Sequence, residues 1–563
     1  MEQNGMKWLA PSACAAFVLA MASNVAAQNI TEARISELIR EAAARAGVTE
    51  TTASAPASAQ TAAGQGDRPV VALSLDDAIK LALDRNLDIS VQRLNPQTFD
   101  YSLASLQAVY KPTLTSTVSH QSQTNPSTQT TSGGQVGTGV LQDTTTFNGG
   151  LSQSLPWGGG TITGTINNNR GTTTSTTALF NPNYNNNWSG LFVQPLLRNF
   201  KIDNTRQQIL VTRLNQDISE IQLQATIINT LSNVRNAYWD YVFAVQSVEV
   251  ARRSVALAEQ LVSDNQTRVE VGTMAPIDVI QAQSQAATQR QNLAIAEGTR
   301  RTNELVLKRL IVSGTQDPNW AGSIDPTERP DFVPMQVDVN AAVRRALEAR
   351  TDLAQVRKNL EVNDVTLKYL TNQTMLQMDF TARYALIGQG GTQYISEGNG
   401  VNRVVTGVIP GGYADAVSTL LHGNYPTWNF GINISYPLGT SAQDASLARA
   451  RLQSTQVEAQ LRQIELQIAT DVTNAATQVQ NNTERVQAAQ AASQFAQRQL
   501  EAEQSKFEVG MSTNYFVVQS QRDLATAQNN ELSAILAYRR SVVELERLQQ
   551  TSTTSANITI LGR

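Results

Sequence analysis

Two stretches of the chain alternate strictly between apolar and polar residues. TWNFGINISYPL sets Trp428, Phe430, Ile432, Ile434 and Tyr436 against Thr427, Asn429, Gly431, Asn433 and Ser435. MDFTARYAL sets Met378, Phe380, Ala382 and Tyr384 against Asp379, Thr381 and Arg383. A period of two predicts strands with one apolar and one wet face, here at about 377–387 and 427–438. PTLTSTVSH and WSGLFVQPL predict a matching pair at about 112–122 and 188–197. Between these, FNGGLSQSLPWGGGTITGTI reads as an extra hairpin over about 145–168, with Phe147, Leu151 and Leu155 on one face and Gly158–Gly160 at the turn. Either it stands out as a surface loop or it adds two strands; the pattern allows both. Residues 388–426, rich in Gly, Asn and Thr, read as an external loop.

A second pattern has helical period. From about Asn204 to Val271, and again from about Ala442 to Val509, the chain contains neither proline nor glycine. At ~1.5 Å per residue each run is a rod of about 100 Å. One compact domain cannot bury such a rod, so it belongs in a coiled coil or a helical wall. Heptad spacing runs through Leu214, Ile218, Ile221, Ala225 and Ile228, then Tyr238, Tyr241, Val245 and Val248. The gap between those runs is a heptad plus three, a local overwinding. The second rod carries Leu461, Ile464, Ile468, Val472, Ala475 and Val479. Abundant Ala in these seams favours close-set neighbours.

These patterns occur twice. SLDDAIKLALDRNLDI at Ser74 matches DVNAAVRRALEARTDL at Asp338, each an amphipathic helix opened by an N-cap residue. FVQPLLRN resembles ISYPLGTS, strand-like runs closed by Pro195 and Pro437. RVEVGTMAPIDVIQAQSQAA at Arg268 resembles KFEVGMSTNYFVVQSQRDLA at Lys506. In the last pair Gly272 and Gly510 fall where a long helix needs a left-handed terminal residue. Thr273–Pro276 and Met511–Asn514 then turn the chain, and Asp278 enters the first turn of the next helix, a favourable place for a carboxylate. The order in both halves is short helix, strands, proline, very long helix, glycine phrase, medium helix: an internal duplication.

Composition narrows the compartment. The first residues, MEQNGMKWLAPSACAAFVLAMASNVAAQ, have one Lys, an apolar run at Ala13–Met21, and small residues at Val25 and Ala27, which reads as a signal peptide over 1–27. Residues 28–69 read as a flexible arm, too poor in large apolar groups to fold alone. Cys14, the one cysteine, lies within the signal, so no disulfide or thiolate metal site is expected in the mature chain. No later run of 18 apolar residues predicts a spanning helix, but barrel strands leave a weaker trace and are compatible with the sequence. With 43 Lys and Arg against 47 Asp and Glu and no basic stripe, nucleic acid is not an expected partner. His120 and His422 have no acidic or second-His spacing around them, and no phosphate loop, zinc motif or nucleophile elbow occurs. GGQVGTG at Gly133 reads as loop. No catalytic residue, cofactor or metal is expected.

The duplicated L-x-L-x-x-A-[IV]-x-x-A-L-type openings, the strand-to-Pro-Leu junctions, and the doubled V-G phrase followed by DVIQAQ or VVQSQ together resemble the TolC-like outer membrane efflux protein family. The resemblance covers about residues 70–550, as a first repeat over 70–325 and a second over 326–550, leaving a C-terminal tail over 551–563. It implies a mainly α fold with β: a homotrimer whose long antiparallel helices form a periplasmic α-barrel and whose strands share one outer membrane β-barrel. About four strands per subunit are usual, and six are expected if the extra hairpin joins. It further implies an exit duct in the outer membrane, extending into the periplasm and docking to a periplasmic adaptor and an inner membrane transporter. The V-G phrases then mark the periplasmic tip, with Gly272, Thr273, Pro276, Asp278, Gly510, Asn514, Tyr515, Phe516 and Gln519 as candidate gate residues. Phe516 and Gln519 stand where relatives place acidic residues, so a complete carboxylate ring is not expected. Three Asp278 side chains would favour cations weakly, and Phe516 either closes the pore or packs. A pore-free, periplasm-spanning coiled-coil or adhesion protein is the alternative; it would use the same rods but has no need of lipid-facing strands.

Overall fold

The computed structural model describes residues 37, 39–41, 70–126, 139–329, 332–398, 404–439 and 441–551. The expected signal peptide, nearly all of the arm, the glycine-rich stretch from Gly133 to Thr138 and the tail beyond Thr551 lie outside the described residues. The first half of the chain runs β1 (Val70–Leu73), α1 (Leu75–Arg85), α2 (Leu87–Ala108), β2 (Thr113–Pro126), β3 (Gly139–Ser154), β4 (Thr161–Thr173), β5 (Phe180–Pro195), α3 (Asn204–Glu270), α4 (Pro276–Ile311), α5 (Pro318–Ala321) and β6 (Ser323–Pro326). The second runs α6 (Val339–Ala349), α7 (Thr351–Gln373), β7 (Gln377–Glu397), β8 (Val404–Ile409), α8 (Tyr413–Leu421), β9 (Pro426–Ser435), α9 (Ala442–Glu508) and α10 (Asn514–Leu548). The duplication is plain: α3 and α9 have 67 residues each, and α4 and α10 have 36 and 35. Helices α2 and α7 also match, at 22 and 23 residues, and were not expected. Their apolar residues form no sustained stripe, and Pro96 sits inside α2.

The chain divides into two compact units. One comprises residues 98–222 and 340–473 and holds the large sheet. Its strand order is β2-β3-β4-β5-β7, every pairing antiparallel, and β7 is paired on its far edge by both β9 and β8. Strand β9 takes Gln377–Leu386 of β7, and β8 takes Gln393–Glu397. The sheet therefore has six strand positions, the last shared by β9 and the short β8. Of the two alternatives open for the hairpin, six strands is the one observed: it is not a surface loop but part of two integral strands, β3 and β4. The expected loop at 388–426 is corrected, because β7 continues to Glu397 and is followed by β8 and α8.

Helix α8 lies against β7 because two glycines let it. A Cβ on Gly388 would come within 2.0 Å of the Ala416 carbonyl oxygen, and one on Gly390 within 2.4 Å of the Ala416 nitrogen. Ala416 is wholly buried there. Gly388→Val is expected to expel the helix and cost about 1–3 kcal/mol, as overpacking does. Limited proteolysis should then cut at 411–423 in the variant and not in the wild-type protein.

The strand-to-helix junction of the same unit is bound by polar side chains. The amide of Leu196 donates to Met378 O (2.8 Å), closing the β5–β7 ladder just past the buried Pro195. Asn199, in left-handed backbone at φ 66°, donates its amide to Asn372 Oδ1 (2.7 Å), and Gln373 Nε2 donates to Asn199 Oδ1 (2.6 Å). These bonds tie the end of β5 to the end of α7. Pro437 takes the equivalent place after β9 and is exposed.

The other unit comprises the described residues of 70–97, 223–339 and 474–551. Its main core gathers Val234, Tyr238, Tyr241 and Val242 of α3 with Leu307 and Ile311 of α4, around the two-stranded parallel sheet of β1 and β6. The heptad seams are buried here at Ile228, Tyr238, Tyr241, Val248 and Val479, and in the other unit at Ile468 and Val472 of α9. The tyrosine hydroxyls serve the small sheet, Tyr238 donating to Leu73 O (3.1 Å) and Tyr241 to Ile324 O. Burial pushes both phenols up to about 12, so they remain donors throughout the physiological range.

Candidate functional site

Two surfaces deserve functional reading, one in each unit. The first is the large sheet. Residues directly opposite in an antiparallel ladder point to the same face. Following Leu114↔Leu151, Ile166↔Trp188, Trp188↔Leu386 and Tyr384↔Trp428 across the sheet shows that most large apolar residues share one side, with Val140, Leu191, Val193 and Ile387 on the other. That side is exposed: Leu114, Val118, Leu151, Ile166, Phe430 and Ile434 all present large apolar surface to the surroundings, and Trp428 is 68% exposed. Trp188 and Tyr384 meet edge to face at 6.2 Å, beside Trp428. An exposed apolar band bordered by a row of Trp and Tyr is the signature of a sheet in lipid. The reverse face carries Thr115, Thr117, Asn148, Thr163, Thr165, Asn167 and Asn433.

The second surface is formed by the paired glycine phrases. Gly272 and Gly510 have φ of 76° and 77°, as a left-handed helix end requires. Both ends close alike: Thr273 N donates to Arg268 O (2.9 Å) and Met511 N to Lys506 O (2.8 Å), a six-to-one bond that satisfies a terminal carbonyl. Pro276 opens α4, where its missing N–H costs nothing, and Asp278 lies in that first turn, half-buried. Beneath the two turns Leu261, Ala282, Leu500, Phe507, Val517 and Leu524 form one core from four helices. Arg268 lies over the Phe507 ring at 4.3 Å and donates to the Phe507 carbonyl (3.1 Å). The Ser512 hydroxyl, and then the Lys506 ammonium, hold the Glu503 carboxyl below the usual carboxylate range.

Asn514 joins the two phrases. It is buried, accepts from Asn265 Nδ2 (2.9 Å) and donates to the carbonyl of Asp278 (3.2 Å). Sequence reading singled out Asn514 but not Asn265, which is wholly buried in α3 and has no local pattern to mark it. Removing the Asn514 amide strands that of Asn265, a loss of about 1–3 kcal/mol. Asn514→Leu is therefore expected to raise hydrogen exchange by about 5- to 150-fold at 265–280 and 507–518, with little change elsewhere. Unchanged exchange would show that the two amides do not hold the turns together. Tyr515 and Phe516 are exposed and pack against each other, ring centroids 5.6 Å apart, while Val517 takes the core position. Within one chain Phe516 is thus not a core residue. Gln519 is half-buried and donates to Asp523 (2.9 Å).

The histidines are accounted for locally. His120 pairs across strands with the Thr145 hydroxyl (2.9 Å), and His422 meets the Ser418 carbonyl (2.7 Å) at the end of α8. Among the described residues no group of His, Cys, Asp and Glu is placed to hold a metal ion, and no helix is long and apolar enough to cross a membrane.

A family described as outer membrane efflux protein matches residues 161–312 and 405–549, which include β4, β5, both glycine phrases and the four helices flanking them. The chain belongs to the outer membrane efflux protein family. Solved structures agree in fold. The chain matches CusC at 14% identity and a TM-score of 0.60, covering 84% of this chain and 91% of that one. It matches the CmeC outer membrane channel of Campylobacter jejuni at 13% identity and 0.59, covering 86% and 90%. It matches the outer membrane protein VceC of Vibrio cholerae at 15% identity and 0.58, covering 84% and 95%. No protein with a curated description matches. As an outer membrane efflux protein the chain resides in the outer membrane, and the family is defined by transport rather than catalysis. Strands β4 and β5 lie within the matched residues, and β2, β3 and β7 outside them.

Proposed function

We propose that three copies of this outer membrane efflux protein form an exit duct that receives cargo from an inner membrane transporter through a periplasmic adaptor. The carrying observation is the open sheet: apolar on one face, polar on the other, with β2 and β9 each unpaired along one edge. Lipid supplies no hydrogen bonds, so a sheet in a bilayer must close. Six positions are fewer than the eight of the smallest barrels, and closure must come from further copies. A pore-free rod would have no use for the apolar face. In this reading the signal at 1–27 directs export, the two repeats are the halves of the duct wall, and the glycine phrases stand at its periplasmic end. Exposed Val271, Ile277, Met511, Tyr515 and Phe516 there suit an adaptor or a closed pore. Opening is an iris-like shift of one hairpin against the other, favoured by the state the partner binds.

The test is purification from the outer membrane, mass in mild detergent, and current across a planar bilayer. A trimer that conducts is expected; a soluble monomer without current would overturn the proposal. For Asp278, the Asp278→Ala variant is expected to lose cation preference at neutral pH. Identical selectivity across pH would leave Asp278 as a helix-start residue alone.

A further inference from the structure

We infer that the outer membrane barrel of this duct has eighteen strands, six from each copy, enclosing a wide neutral bore suited to bulky hydrophilic cargo. The inference rests on the trimer proposed above; the six positions per copy are observed. Three features make β3 and β4 part of the wall. Each is paired along both edges, Thr113–Pro126 with Gly139–Ser152, Gln142–Ser154 with Thr161–Thr173, and Thr161–Gly171 with Asn183–Val193. Each continues the alternation of its neighbours, with Phe147, Leu151, Ile162 and Ile166 outward on the lipid side. The turn between them is bound to the strand-to-helix junction: Gln194 Nε2 donates to Gly158 O (2.7 Å), and a Cβ on Gly159 would strike Asn199 O at 2.6 Å.

The free edges complete the argument. Successive positions alternate in direction from β2 to β9, so β2 and β9 run oppositely. The β9 of one copy can therefore continue onto the β2 of the next as another antiparallel pair, with the apolar faces continuous, and three copies of six positions give eighteen. At ~4.8 Å between strands and ~40° of tilt, eighteen strands enclose a backbone cylinder about 36 Å across, against about 24 Å for twelve. The bore-facing side chains of β2, β3 and β4 are hydroxyls, amides and glycine, apart from Val140 at the start of β3. On β7 up to Gln389 the bore carries Asp379 and Arg383, one charge of each sign, beside the uncharged Asn429 and Asn433 of β9. Leu191, Val193, Ala385 and Ile387 add apolar interruptions on β5 and β7. Such a wall discriminates by size and hardly by charge.

A cryo-electron microscopy map of the wild-type protein in lipid nanodiscs, with its mass from native mass spectrometry, tests this directly. Eighteen strands in a trimer are expected. Twelve strands in a trimer would overturn the inference and leave the duct standing, whereas twelve in a dimer would overturn both through the copy number. Polymer exclusion with neutral polyethylene glycols added to the extracellular side alone gives a second readout. Replacing residues 139–173 by a short turn should lower the largest admitted diameter by more than about one third, because the backbone cylinder narrows by that fraction while the lining side chains take the same depth from both. If that variant does not assemble, the wild-type strand count still decides.

Discussion

Arginine at Ile432 is expected to keep the protein out of the outer membrane, and arginine at its neighbour Asn433 is not. Ile432 lies mid-way along the outward row from Trp428 to Tyr436 and is exposed, whereas Asn433 points to the opposite face, across from Asp379. A cation on the lipid face near the bilayer midplane costs about 2–4 kcal/mol, and the trimer proposed above would incur it once per copy. On the bore side the same guanidinium remains in water, beside the Asp379 carboxylate. Comparing the membrane-assembled fraction of the two variants at equal expression is the measurement. Equal loss in both would mean that the apolar row does not face lipid.

The second large effect is expected in the helical unit, where Lys308 of α4 is almost fully buried. Its ammonium meets Glu304 (2.8 Å) and donates to the carbonyls of Trp320 (3.3 Å) and Gly322. The same Glu304 carboxylate accepts the Ile324 amide of β6 (3.3 Å). One buried pair thus anchors the small parallel sheet to α4. Glu304→Leu leaves a buried ammonium short of its counter-charge, a loss of about 3–5 kcal/mol. Replacing both partners, Glu304→Leu with Lys308→Met, removes the stranded charge and is expected to restore most of the stability. Helical circular dichroism during denaturant unfolding would show the single variant well below the double. A single variant no weaker than the double would mean that the carbonyls alone suffice for Lys308.

Where the governing forces are local, residues alone were enough. The period of two at Phe430–Ile434 follows from backbone geometry, and β9 lies where it was expected to within a few residues. The long helices end within a residue of expectation, because freedom from Gly and Pro inside and a left-handed Gly outside are properties of the chain itself. The gate candidates were legible only in part. Gly272 and Gly510 announce themselves, but the role of Asn514 depends on Asn265 and on the Asp278 carbonyl, both distant in sequence.

By itself, then, the sequence determined a duplicated chain of two long rods, amphipathic strands and glycine-capped turns, and through its motifs the efflux family. Tertiary structure decided that the extra hairpin joins the sheet, that α8 rests on Gly388 and Gly390, that β1 and β6 pair, and that Asn514 bridges two turns. Each of those outcomes depends on which remote backbone lies alongside. Strand pairing, close approach and amide partnership are made between segments, so no window of neighbouring residues contains the information that selects them.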